Sequence, residues 1–229
     1  SFDDSKFQTV DIPHTNKELP LNYFDEKCYQ FVSCYRKNFD IGKKAKGKRY
    51  ILHFEGASLY SKVYLNDEFI GEYKGAYNAF SFDITDKVKS KGNLLVVELD
   101  STERKEIPPF GNVVDYLVYG GIYREVWLEE VSETYIDNAF VRTLNVLQPK
   151  KVLDIDVTLS ESAKGELTFT LFDGDKVIGE KKTDFGGRVI NAKWAVTDVE
   201  LWDTENPKLY TLKVKLDDKD EISVRFGFR

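Results

Sequence analysis

Methionine is missing altogether, and cysteine and histidine occur twice each. With no Met at its head, a chain that opens SFDD is expected to be the trimmed or cut beginning of something longer. Two isolated histidines, His14 and His53, and two cysteines offer no metal-ligand spacing, so neither a metal site nor a cofactor is expected. Cys28 and Cys34 sit in CYQFVSCY, which reads as one strand. Six extended residues would put them roughly 20 Å apart, whereas a disulfide needs Cα atoms within about 7 Å. Free thiols fit a reducing compartment, and a cytoplasmic location is the expectation. No apolar run approaches the roughly 18 to 20 residues of a membrane span, and no signal peptide opens the chain, so no membrane partner is expected. A basic face is missing too. The lysines are scattered apart from Lys43, Lys44, Lys46 and Lys48, which read as a solvated hairpin tip rather than a nucleic-acid footprint.

Helical periodicity is also scarce. The best candidate, TDKVKSKG (85–92), is one turn at most, capped by Thr85 or Asp86 and stopped by Gly92. What is abundant is aromatic side chain: 14% of the chain, with 13 Tyr and 16 Phe, which favours sheets. Hydrophobic residues at 41% and charged residues at 31%, over 229 positions with net charge -6, give a globular composition with ample material for a core.

Strand signals follow one another: KRYILHFEG (48–56), LYSKVYLN (59–66), FIGEYKG (69–75), AFSFDIT (79–85), NLLVVELD (93–100) and IYREVWLEEV (122–131). In LYSKVYLN the period is two, with Leu59, Ser61, Val63 and Leu65 on one face. Asn66-Asp67 then predicts a tight hairpin turn, because both residues tolerate positive φ. After VSETYIDN (131–138) a second series appears: AFVRTLNVL, KVLDIDVTLS, GELTFTLFD, KVIGEKKTDF, VINAKWAV and LYTLKVKLD. The fold predicted is all-β, with a jelly-roll (galactose-binding-like) sandwich over 1–132 and an immunoglobulin-like sandwich over 133–229.

One stretch does not read as plain sheet. In DYLVYGGIYREVWL (115–128) an acid precedes a run of apolar residues and a pair of glycines. Taken alone, Asp115 caps a turn or pairs with Arg124, and Gly120 and Gly121 let the backbone bend or pass close to another segment. Arg124 shares strand parity with Ile122, Val126 and Leu128, so a structural ion pair is expected for it. The segment 101–121, with Pro108, Pro109 and Gly111, is long for a compact domain, which points to a functional or interfacial role and away from a purely structural tandem sandwich.

VDIPH (10–14), DYLVYGGIYREV (115–126), LWDTENPKLYTL (201–212) and FGFR (226–229) occur in order, with the strand series between them. Together they resemble the N-terminal half of a glycoside hydrolase family 2 enzyme, the group that includes β-galactosidases and β-glucuronidases. The resemblance covers the whole chain. It implies a (β/α)8 barrel after residue 229, absent here, that carries two catalytic glutamates. Retaining chemistry needs carboxyls about 5 to 5.5 Å apart, and no pair in this chain can be assigned to it. The family's acid/base glutamate follows an asparagine, and no Asn-Glu pair occurs here.

The resemblance therefore implies a non-catalytic, inactive portion of a retaining β-glycosidase of β-galactosidase type. Its partners would be a β-galactoside or related carbohydrate, the barrel of the same chain, and further copies in a homo-oligomer. It implies that Asp115 projects into the barrel's active site and accepts hydrogen bonds from sugar hydroxyls. Asn22, in LPLNYFDE, matches an early-loop asparagine that contacts the sugar in certain β-galactosidases, though a turn role after Pro20 suits it equally. Tyr116 and Tyr119 could offer aromatic faces to a sugar ring, or pack. His14 is implied to anchor a loop, and Trp202, Pro207, Leu209 and Tyr210 to pin a loop and the final strand to the core. The alternative is a free-standing carbohydrate-binding module.

Overall fold

The structure, a computed structural model, describes residues 3–22, 25–108 and 118–229. The chain divides into two compact units, Ser1–Glu130 and Val131–Arg229. Strands in the first unit are β1 (Val32–Phe39), β2 (Lys48–Phe54), β3 (Tyr60–Leu65), β4 (Glu68–Lys74), β5 (Phe80–Asp83), β6 (Asn93–Asp100) and β7 (Val126–Ser132). They form a four-stranded sheet in the order β1-β6-β3-β4 and a three-stranded sheet in the order β5-β2-β7.

The period of two decides which face each sheet buries. Ser61, Val63 and Leu65 of β3 and Leu95, Val97 and Leu99 of β6 turn inward from one sheet. Tyr50, Leu52 and Phe54 of β2 come from the other and join the same core, which makes the unit a sandwich. Asn66 and Asp67 take φ of 54° and 69°, the backbone of a two-residue hairpin turn whose twist suits the flanking strands. The unit is a jelly-roll β-sandwich.

Three local expectations fail here for stated reasons. CYQFVSCY is not one strand. The Asp25 carboxylate accepts from the Lys27 amide at 2.9 Å and caps a 3-10 turn, Glu26–Tyr29, that holds Cys28, while Cys34 lies in β1. Both thiols remain free. Lys43, Lys44 and Lys46 are exposed, but they link β1 and β2, which belong to different sheets, so the run is a crossover between layers and no hairpin tip, and Lys48 is half-buried at the start of β2. Arg124 is exposed rather than turned inward. Its guanidinium donates to the Tyr77 carbonyl at 3.2 Å and lies over the Tyr123 ring, so a backbone carbonyl takes the place of the expected carboxylate.

The second unit contains β8 (Ile136–Leu144), β9 (Lys151–Asp173), β10 (Lys176–Val196), β11 (Tyr210–Leu216) and β12 (Asp220–Phe226). Two pairs of strands expected as separate run together: KVLDIDVTLS with GELTFTLFD into β9, and KVIGEKKTDF with VINAKWAV into β10. A straight strand of β9's length would extend about 75 Å. Yet Leu153, Ile155, Val157 and Leu159 from its first half and Leu167, Phe169 and Leu171 from its second all pack in one core. The ribbon must therefore fold over itself. Its register shifts between Gly187 and Val189, and Gly187 takes a φ of 133°, so the bend is built into a bulge rather than a chain break. β8 pairs with the first half of β9 and β11 with the second, while β12 extends β11. Closure comes from side chains: the Ile136 amide donates to Asp220 at 2.7 Å and the Ser132 hydroxyl to the Lys219 carbonyl at 2.6 Å. The result is an immunoglobulin-like β-sandwich.

The segment that follows β12 is held by Trp202. Its amide donates to the Phe228 carbonyl at 2.9 Å, and its side chain covers Gly227 so closely that a Cβ there would lie 2.8 Å from the tryptophan Cβ. Tyr210 is buried and its hydroxyl accepts from the Glu200 amide, whereas Leu209 is exposed and pins nothing to the core.

Phe169 is wholly buried where the two halves of β9 converge. Phe169→Ala should cost the second unit about 3 to 5 kcal/mol, because the cavity cannot collapse between strands fixed on both sides. A urea titration that follows this unit's unfolding checks the value, with a loss below about 1 kcal/mol counting against a shared core.

Candidate functional site

The segment 101–121 lies in the chain between β6 and β7. Asp115 and Tyr116 fall within 109–117, outside the described residues, but both stems of the segment are described.

The outgoing stem begins with a carboxylate knot. Asp100 accepts from the Thr102 amide at 3.0 Å, the Thr102 hydroxyl at 2.6 Å and Arg104 at 2.6 Å. Burial alone would push the Asp100 carboxyl up, but these donors outweigh it and hold the group below the usual carboxylate range. Arg104 also reaches Glu106 at 3.3 Å and covers the Tyr60 ring, 4.9 Å from its centroid. Three residues on, Ile107 is buried against Leu59 and Ala76.

The returning stem is held by backbone. The Asn16 amide donates to the Gly120 carbonyl at 2.9 Å and the His14 amide to the Ile122 carbonyl at 2.7 Å. Gly121 and Ser58 exchange both backbone hydrogen bonds, at 3.0 and 3.3 Å. Gly121 takes a φ of 116°, and a Cβ on it would lie 2.6 Å from the His14 carbonyl oxygen and 2.8 Å from the Asn16 nitrogen. The glycine pair is thus a close pass between backbones, one of the two uses open to it from sequence. Beyond it, Tyr123 donates to the Ala76 carbonyl and Arg124 to that of Tyr77.

The two stems meet at one oxygen. The Ser58 carbonyl accepts from the Ser101 hydroxyl at 2.7 Å on the outgoing side and from the Gly121 amide at 3.3 Å on the returning side. Ser58 and Ser101 are both buried. His14 anchors the junction as expected, with its Nδ1 3.0 Å from the Tyr35 hydroxyl, and burial holds that phenol above its usual range.

Asn22 lies in an exposed bend after Leu21, and among the described residues no hydrogen bond joins its side chain to the junction. Tyr119, just ahead of the glycines, is exposed. Sequence reasoning missed Ser58, Ser101 and Asn16. The only local signal was that Asn16 stands two residues after His14. Among the described residues no group of three or more His, Cys, Asp or Glu could hold a metal ion, and no helix is long and apolar enough to cross a membrane.

Comparison with known proteins adds to this geometry. The family model for the sugar binding domain of glycosyl hydrolases family 2 matches residues 1–132, and a second model of that family matches 134–229. The chain belongs to glycosyl hydrolase family 2. A β-galactosidase of Thermoanaerobacterium thermosulfurigenes is 40% identical over 97% of this family 2 chain, and one of Thermoanaerobacter pseudethanolicus is 37% identical over all of it. The chain spans about a third of the length of these relatives, 33% and 32%. In the crystal structure of Bacteroides uniformis β-glucuronidase it matches 30% of that chain, at 28% identity over its own full length and a TM-score of 0.85.

Two outcomes follow from the junction. Gly121→Ala should destabilise the first unit by roughly 2 to 4 kcal/mol, since both the φ and the His14 carbonyl oppose a side chain; a chemical-denaturation midpoint unchanged from wild type would contradict the close pass. Because the folded Asp100 carboxyl titrates below its unfolded value, it adds stability at neutral pH that is lost as the pH falls from about 4 through the lowered folded value. Asp100→Asn should therefore flatten the acid limb of a stability-versus-pH curve recorded from pH 3 to 7.

Proposed function

We propose that this chain is the non-catalytic N-terminal portion of a retaining β-glycosidase of β-galactosidase type, an enzyme that hydrolyses O-glycosidic bonds. The jelly roll supplies a substrate-contacting segment to the active site of a barrel that follows the immunoglobulin-like unit in the same chain. Asp115 accepts hydrogen bonds from hydroxyls of the sugar, and Tyr116 and Asn22 line the same subsite. The chain alone is inactive. Its partners are a β-galactoside or related carbohydrate and the barrel itself.

The observation that carries this reading is the pinning of both stems of segment 101–121 at the Ser58 carbonyl, within the part of the chain matched by the sugar binding domain of the family. Two stems joined on a sandwich are a suitable mount for a residue between them that must be placed accurately. Support for the galactosidase type comes from the relatives at 37% and 40% identity, both named β-galactosidase.

The test uses the enzyme that carries this chain. Charge-assisted bonds to two hydroxyls are worth on the order of 100-fold or more in rate, so Asp115→Ala should lower kcat/KM for an aryl β-galactoside by at least that factor while the melting temperature stays within a few degrees of wild type. Wild-type kinetics would sink the role given to Asp115. A higher kcat/KM for the matching aryl β-glucuronide than for the galactoside would overturn the substrate type.

A further inference from the structure

A groove in the first unit has no part in the function proposed above. It lies between residues of the N-terminal segment 4–16 and residues of 31–37, at and just ahead of β1, and encloses about 500 Å³. Small-molecule sites occupy roughly 300 to 1,000 Å³, so the groove has the size of one. Phe7 and Phe31 both line it and stay 41% and 39% exposed, which leaves part of each ring uncovered inside it.

The remaining lining is neutral or paired. Gln8 and Thr9 are exposed and bring an amide and a hydroxyl. The Ser33 hydroxyl donates to the Leu99 carbonyl at 3.4 Å, which keeps its oxygen as an acceptor. The Tyr35 oxygen accepts from the Ile122 amide, so its hydrogen goes to His14 Nδ1, 3.0 Å away, and Nε2 is the donor of the neutral imidazole. The Arg36 guanidinium donates to Asp4 at 2.9 Å. An anion would therefore compete with a carboxylate already in place, and a hydrocarbon would strip water from Gln8, Thr9 and His14 without replacing its hydrogen bonds. A ring with C–H bonds on its faces and hydroxyls at its rim meets both parts of the lining. Its C–H groups suit the negative faces of the two phenylalanines, and its hydroxyls both donate and accept. That ring is a pyranose.

We propose that this groove is a carbohydrate site that takes a neutral pyranoside. Phe7 and Phe31 are its stacking surfaces, and Gln8, Thr9, Ser33 and His14 are the partners of the sugar hydroxyls. The inference goes beyond the function proposed above and stands whether or not Asp115 contacts substrate.

Cys34 lines the same groove and is exposed, which supplies a reporter at the site, and Cys28, which does not line it, is the internal control. Burial pushes the Cys34 thiol up, so alkylation by iodoacetamide is run at alkaline pH and followed on each cysteine peptide by mass spectrometry. The probe is methyl β-thiogalactoside, which resists hydrolysis. A Kd of about 10 mM is the expectation for one small ring in an open groove, so about 100 mM probe should slow Cys34 alkylation roughly tenfold by occupancy. Cys28 should react at an unchanged rate, and glycerol at the same concentration should protect neither thiol. Phe31→Ala should abolish the protection, read as the ratio of rates with and without sugar; if that variant does not fold, Gln8→Ala should weaken it. An unprotected Cys34, equal protection by glycerol, or protection that survives Phe31→Ala would each overturn the site. The protection should persist in Asp115→Ala. Its loss there would assign the bound sugar to the subsite proposed for Asp115, overturning the groove and leaving that function standing.

Discussion

At the junction the backbone of Gly121 runs against the backbone of residues 14–16, and the Ser58 carbonyl gathers a donor from each stem of segment 101–121. Neither contact tolerates substitution at the glycine, because a Cβ would occupy space already taken by main-chain atoms. A hydrogen bond between two flexible side chains can be exchanged for one to water at little net cost. A close pass between main chains cannot, and the buried Ser58 and Ser101 have no water to fall back on. The first unit therefore places a tightly constrained contact at the stems of segment 101–121 rather than in the centre of a sheet.

The second unit solves a different problem with the same material. Its two longest strands are paired almost end to end, and one bulge at Gly187 lets that ribbon serve both layers. Across the ribbon's edge, Arg142 of β8 bridges Asp154 and Asp156 of β9 at 3.0 and 2.6 Å, and Asn191 of β10 donates to both carboxylates. Hydrogen bonds from Asn191 first, and from Arg142, hold both acids below the usual carboxylate range. Because the group is partly open to solvent, its value lies more in fixing the register of β8, β9 and β10 than in net stability.

Much of the sheet structure was legible because it is local. The alternation in LYSKVYLN declares which residues turn inward, and Asn66-Asp67 declares a turn by backbone tolerance alone. Gly120 and Gly121 announced a bend or a close approach, and the latter is what they make. The readings that failed depended on distant partners. Gly165 and Gly186 look like strand ends, yet each sits opposite a paired residue, so the ladder runs through them. CYQFVSCY carries strand-forming side chains, but a single capping carboxylate at Asp25 diverts its first half. Arg124 has inward parity by count and is nonetheless exposed, because the strand proper begins only at Val126. Asp115 and Tyr116 were proposed for the site through family resemblance alone, and both lie outside the described residues. Ser58 and Ser101 were not accessible, and Asn16 was signalled only by its place two residues after His14, since a junction joining positions 16, 58, 101 and 121 has no signature within any window of the chain.

Two stems joined to each other close a loop whatever lies between them. Lengthening a closed loop costs only about 0.6 kcal/mol per doubling, and here the closure is made at the stems. Changes in chain length within the segment should thus carry little penalty for the sandwich, provided that the Asp100–Arg104 knot, the buried Ile107, the serines and the paired glycines stay in place. Such an arrangement lets selection, or an engineer, alter segment 101–121 on a scaffold that need not be refolded each time.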